Sequence, residues 1–265
     1  MKNKLVAIVI PLYYTNLGKF DRLSVSRCFE FWKDKFDIYF VKPESLDISE
    51  VQEEYRGAEA ISFTDSYFSD IKGYNRLMLS ADFYGKFLDY EYIFLYQTDG
   101  YVFKDELEDW CGKGYDYIGA PWIPSPKPLP YLDKIFVKMR QIINKWQEKP
   151  DRSELYYQVG NGGVSLRKSV VFHNTALSDK ENIDLYVSRL GKSSLYNEDV
   201  YWFRAPGNGT DGKLYKPGFS EALSFAFDMN PGECLRLNNG RLPFCCHGFS
   251  KPKFQKFWKR FINLT

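Results

Sequence analysis

The run YIFLYQTDG, ending at Gly100, constrains this chain more than any other stretch. Ile93, Phe94, Leu95 and Tyr96 are consecutive apolar residues without alternation, which predicts a strand buried on both faces. The apolar run stops at Gln97, Thr98 and Asp99. A carboxylate just past such a strand sits where open α/β sheets bind ligands, beyond the carboxyl edge. Asp99 is therefore placed to hold a hard cation against a phosphorylated ligand. A rival reading exists, because Asp-Gly between the apolar runs Ile93–Tyr96 and Tyr101–Phe103 is also a tight-hairpin signal. The lack of alternation before Asp99 favours the central strand.

Strands and helices alternate around this run. Leu5–Ile10 reads as a buried strand ended by Pro11, and a helix from Leu17 to Lys35 carries Val25, Cys28, Phe29 and Trp32 on one face. Ile38–Val41 and Ala58–Phe63 read as strands on either side of a short polar helix over Ser49–Tyr55. A helix from Ile71 to Leu88 precedes the Ile93–Tyr96 strand. This alternation predicts βαβ units and an α/β fold with a mainly parallel sheet flanked by helices. The second half is less regular. It offers a strand at Tyr115–Ala120, a proline-rich loop from Pro121 to Pro130 and a helix over Leu132–Gln147. A glycine-bearing strand at Gln158–Arg167 and a loop over Gly207–Gly218 follow. His173, in the strand-like LRKSVVFH, reads as structural. Without repeats or a dividing linker, residues 1–265 form a single domain, with halves of about 1–125 and 126–265.

The bulk properties exclude several classes. A net charge of +2 gives no global case for nucleic-acid binding. No apolar run approaches the roughly 18 residues of a membrane span. The apolar stretch Leu5–Ile10 is too short for a secretory signal, so the chain is expected to be cytoplasmic. Five cysteines without regular spacing argue against a disulfide framework. Cys245 and Cys246 beside His247 lack the paired CxxC of a structural zinc site. An aromatic content of 18% suits sugar binding, because sugar C–H faces stack on rings.

Four motifs follow one another: QTDG ending at Gly100, GNGG ending at Gly163, NEDVYW ending at Trp202 and HGFSKP starting at His247. In this order the chain resembles GT-A-fold glycosyltransferases, with the Gly-rich strand and Glu-Asp-Val similar to inverting β-1,3-galactosyltransferase and fringe-type enzymes. The His-Gly…Lys-Pro element resembles the tail of glycogenin-like enzymes. The whole also resembles an uncharacterised bacterial GT-A-like family marked by QTD, GNGG, NED and HG. One departure stands out: a full DxD motif would have Asp where Gln97 is.

The resemblance implies a Rossmann-type nucleotide-sugar-binding half and a less regular acceptor half. It implies Mn²⁺ or Mg²⁺ held by Asp99 and His247, with the donor diphosphate supplying further ligands. Lys251 would meet a phosphate as a point charge. Pro11, Leu12, Tyr13, Lys72, Asn75, Gln97 and Thr98 would contact the donor, and Asn161, Gly162, Gly163 and Trp202 the acceptor. Asp199 would be the general base of an inverting displacement, with Glu198 orienting the acceptor. Simpler roles stay open beside these: a hydrogen-bonded structural His247, a plain turn at GNGG, and a helix start at Asn197 with acidic residues favoured by the dipole.

The expected activity is transfer of a sugar from a nucleotide-diphosphate donor, UDP above others, to a glycan or lipid-linked glycan in bacterial surface or capsular polysaccharide synthesis. The alternatives are a catalytically degenerate GT-A domain that binds nucleotide or glycan, and a sugar nucleotidyltransferase. PLYYTNLGKF is not the Gly-rich N-terminal loop of the latter. The tail KPKFQKFWKRFINLT carries five basic residues and no acidic one. Phe254, Phe257, Trp258, Phe261 and Ile262 share a helical face, which fits either an anionic membrane surface or a helix docked on the domain.

Overall fold

A computed structural model describes residues 4–124 and 152–264, and between them residues 135, 138, 139, 142–144 and 146. The helix expected over Leu132–Gln147 and the proline loop beyond Pro124 therefore lie largely outside the described residues.

The strand Tyr90–Tyr96 (β4) is central. The sheet also contains Lys4–Pro11 (β1), Asp37–Pro43 (β2), Ala58–Phe63 (β3), Tyr117–Pro121 (β6) and Val159–Lys168 (β7). Their order is β3-β2-β1-β4-β7-β6. β1 pairs in parallel with β2 and β4, and β2 with β3, whereas β7 runs antiparallel to β4 and β6. The result is a Rossmann-type, mainly parallel sheet flanked by helices.

The burial of β4 follows from its sequence. Phe94 and Tyr96 enter one apolar cluster, with Trp32, Phe40 and Phe225, while Ile93 and Leu95 enter a second, with Leu77, Phe83 and Trp202. Both faces are covered, so a continuous apolar run without alternation is what such a strand requires.

Asp-Gly does not close a hairpin. Gly100–Val102 (β5) leaves the large sheet and pairs antiparallel with Cys245–His247 (β9), which pairs in parallel with Ala226–Phe227 (β8). This second sheet brings the C-terminal His-Gly segment against the end of β4. The helix expected over Ile71–Leu88 is two helices, Ile71–Met78 and Ala81–Gly85, because the Ser80 side chain accepts from the Phe83 N–H and restarts the chain as an N-cap. His173 lies in helix Ser169–Ser178, not at the end of a strand. All five cysteines are buried and unpaired.

The C-terminal helix Pro252–Trp258 docks on the domain. Phe254 and Trp258 are buried with Ile262, and Trp258 stacks on Phe103 with centroids 5.5 Å apart. Docking on the domain therefore accounts for Phe254, Trp258 and Ile262 on this face, while Phe261 stays exposed. Among the described residues no helix is long and apolar enough to cross a membrane.

Candidate functional site

β1 and β4 are neighbours at the point where strand order reverses, and a cavity of about 480 Å³ opens beyond their carboxyl ends. Tyr13 just past β1, Gln97 just past β4, Gly162 and Gly163 of β7, and Glu198, Asp199 and His247 all line it. Stretches that are distant in the chain therefore converge, and each has a local reason for its place.

The first is the turn after β4. The Asp99 carbonyl accepts the Gly248 N–H at 2.8 Å, and Gly100 is in register with His247 across the β5–β9 ladder. That register sets His247 Nε2 3.0 Å from Asp99 Oδ1 and 3.1 Å from Gln97 Oε1. Lys251 Nζ lies 3.8 Å from the other Asp99 oxygen. Burial works to raise the Asp99 carboxyl, but the charges of His247 and Lys251 outweigh it and hold the group below its ordinary value. Burial likewise works to lower His247. The Asp99 charge and hydrogen bonds with Asp228 and Asp99 overcome it and push the ring up to about 9.

The second is the GNGG segment. The β6–β7 pairing passes from Gly119–Ser165 directly to Ala120–Asn161, so residues 162–164 are extra on β7 and the strand bulges. A Cβ on Gly162 would lie 2.0 Å from Glu198 Oε1, and one on Gly163 would lie 2.3 Å from His247 Nε2. The glycines make room for the Glu198 and His247 side chains of this chain, a tighter demand than the turn or ligand approach read from sequence. Asn161 is locked in place: its amide donates to Asp228 Oδ2 at 2.9 Å and its Oδ1 accepts the Gly163 N–H at 3.1 Å.

The third is helix Glu198–Arg204, which begins at the cavity with its two acidic residues in the first turn. Asn197 precedes it in extended conformation without a side-chain cap. Glu198 is buried against Arg167, a fully buried arginine on β7. Arg167 Nη2 donates to Glu198 Oε1 at 3.2 Å, and Nη1 lies 3.2 Å from Oε2 without hydrogen-bond geometry. The Glu198 N–H donates to Asn75 Oδ1 at 2.6 Å. Burial raises the Glu198 carboxyl more than Arg167 lowers it. Asp199 keeps part of its surface open to the cavity but is closely ringed by protein. Burial, and then the Glu198 charge, push its carboxyl up to about 8.

The fourth is the chain after β1. Tyr13 is 39% exposed at the cavity beside Phe68, with ring centroids 5.8 Å apart. Tyr74 lines the same cavity, and its buried hydroxyl makes no hydrogen bond of good geometry among the described residues.

Several expected contacts fall elsewhere. Trp202 is 0% exposed and donates its indole N–H to the Met78 carbonyl, so it is core and not an acceptor contact. Pro11 and Leu12 are buried and do not line the cavity. Thr98 spends its hydroxyl on Asp21 Oδ1 at 2.7 Å. Lys72 is exposed against Gly191 and does not line the cavity. Arg167 and Asp228 also belong to the site, through their contacts with Glu198 and His247. Arg167 sits in VSLRK beside a second charge at Lys168, so nothing local marks it as buried. Asp228 ends the apolar stretch SFAFD, the same signal that singles out Asp99.

Among the described residues no group of three or more His, Cys, Asp or Glu side chains forms a ready-made metal cage. Asp99 and His247 do present one hard oxygen and one imidazole nitrogen together, with Gly163 leaving the ring room. That donor pair fits a divalent cation that takes its remaining ligands from phosphate and water.

This sheet order and cavity define a fold of the GT-A glycosyltransferase type. The chain is similar to mouse xyloside xylosyltransferase 1 in its apo form, at a TM-score of 0.54 and 11% identity over 92% of this chain and 97% of that one. It is also similar to the galactosyltransferase LgtC in complex with donor and acceptor sugar analogues, at 0.54 and 13% over 91% and 86%. Residues 57–247 match the model of a family described as protein of unknown function, DUF5672, and the chain belongs to that family. No curated protein matches the sequence.

Proposed function

We propose that this protein is a glycosyltransferase that moves a sugar from a nucleotide-diphosphate donor, UDP above others, to a glycan acceptor with inversion. The observation that carries the reading is the Asp99–His247 pair at the switch point, on the same cavity as Glu198 and Asp199. The likeness to one structure that holds donor and acceptor sugar analogues supports a sugar-donor substrate. Asp99 and His247 would hold Mn²⁺ or Mg²⁺, which when bound neutralises charge developing on the leaving diphosphate. Lys251 would add a fixed positive charge beside Asp99. Tyr13 at the cavity would offer a ring face to the base or ribose.

Asp199 would deprotonate the attacking hydroxyl. A carboxyl pushed up to about 8 is a stronger base than an ordinary one, and it remains open to the cavity. Glu198 is held by Arg167 and fits the orienting role better. The reading extends to a cytoplasmic enzyme of bacterial surface or capsular polysaccharide synthesis, and the docked C-terminal helix lends membrane binding no support.

The test is incubation with UDP-sugars and Mn²⁺, followed by UDP release and the anomeric configuration of the product. Slow metal-dependent UDP release without acceptor, and an inverted product with one, are expected. Binding without any turnover would leave a binding domain, and a retained configuration would remove Asp199 as base.

A further inference from the structure

We propose that Asp228 is a positioning residue of the cation site, holding the His247 ring so that Nε2 is presented beside Asp99. The proposal rests on the reading of Asp99 and His247 as cation ligands. Its geometry comes from the small sheet. β9 lies between β5 and β8, with Gly100 opposite His247 on one side and Phe227 opposite Cys246 on the other. The residues adjoining those pairs, Asp99 and Asp228, therefore reach His247 from its two flanks. Asp228 Oδ1 lies 2.9 Å from Nδ1, while Asp99 Oδ1 lies 3.0 Å from Nε2.

Asp228 is itself held. It is 5% exposed, and its second oxygen accepts from the Asn161 amide at 2.9 Å. Asn161 in turn accepts the Gly163 N–H, and Gly163 leaves the space that the ring occupies. One continuous set of contacts thus runs from the glycine segment through Asn161 and Asp228 to the imidazole. A carboxylate on Nδ1 keeps the proton there when a cation takes the place of the proton that Nε2 shares with Asp99, and it raises the basicity of Nε2. This bears on Gln97. An amide stands where a second carboxylate would add negative charge, and Asp228 makes up for it indirectly by strengthening the imidazole.

The chain has two histidines, His173 and His247, so imidazole nitrogen spectra contain only two ring systems. With Mg²⁺ and UDP, the His247 ring of the unaltered protein is expected as the Nδ1–H tautomer. Asp228→Asn should mix the tautomers and weaken Mn²⁺ binding, measured by electron paramagnetic resonance with UDP present, by about 10–100-fold. In a His247→Ala background the same change should cost nothing further. An equal loss in both backgrounds, or an unchanged tautomer with unchanged affinity, would overturn the proposal. Should Asp228→Asn not fold, Asn161→Ala loosens Asp228 from its other side. A fall in Mn²⁺ affinity there supports the proposal, and an unchanged affinity overturns it. Absence of any Mn²⁺ binding by the unaltered protein with UDP would bring down the cation reading itself, and the proposal with it.

Discussion

A β-carbon on Gly163 would sit 2.3 Å from His247 Nε2, closer than non-bonded atoms tolerate, so the glycine and the imidazole occupy complementary space. The ring cannot simply step aside, because carboxylates hold it on both nitrogens. Gly163→Ala should therefore displace His247 and cost about 1–3 kcal/mol of stability, as overpacking does. Denaturant unfolding reads the stability, and titration with Mn²⁺ and UDP should show weakened metal-dependent binding in the folded fraction. Full binding with unchanged stability would mean that the ring has a second place to go.

Asp99→Asn keeps the shape of the turn and removes the charge. Metal-dependent UDP affinity should fall at least about tenfold, the lower end of what even an indirect partner contributes. The fold should persist, because the Asp99 backbone carbonyl makes the contacts to Gly248 and Phe249. Calorimetry with and without Mn²⁺ decides it, and an unaltered metal dependence removes Asp99 from the cation site.

Asp199→Asn should reduce transfer by about 10²–10⁴-fold while leaving UDP-sugar affinity nearly unchanged, because a base acts in the transition state. The pH dependence follows from the raised carboxyl. The base is ionised only as pH rises through about 8, so kcat/KM should climb to a plateau above that value. The stability effect has the opposite sign. A carboxyl raised on folding contributes stability that is complete below its unfolded value of about 4 and is lost as pH passes about 8. Asp199→Asn should accordingly flatten the fall in melting temperature between about pH 4 and about 8. A pH profile that is flat in both proteins speaks against the assignment.

Arg167→Met leaves Glu198 buried without its cation and should cost about 3–5 kcal/mol. Adding Glu198→Gln should recover much of that loss, because the uncompensated charge is gone. Chemical denaturation of the two single variants and the double variant gives the coupling, and simple additivity would show that the pair is not a unit.

Trp258→Ala should cost about 3–5 kcal/mol, the usual penalty for emptying a fully buried indole. Were the tail a membrane anchor, the same change would leave thermal stability alone and weaken binding to anionic liposomes.

Much of the fold is legible in the sequence because hydrophobic patterning is local. The bounds of β3 are read off directly, and β4 is recognised by its continuous apolar core at Ile93–Tyr96. Asp99, GNGG, Glu198, Asp199 and His247 are also visible as motifs. What they touch is not. Trp202 follows Glu198 by four residues and shares its helical face, and only the packing of that helix shows that this face is buried in the core. Asp228 shows the same apolar-run-then-carboxylate signal as Asp99, but nothing local says that β8 will pair with β9.

The sequence by itself therefore determined where the strands of the parallel half form and which residues carry charge, since each depends on neighbours a few positions away. Tertiary structure alone decided that Asp99 and Asp228 flank His247, that Arg167 neutralises Glu198, and that glycines 162 and 163 give space to side chains from other elements. Those relationships join residues far apart in the chain. They are set by strand order, ladder register and exclusion of volume, none of which is written in any one segment.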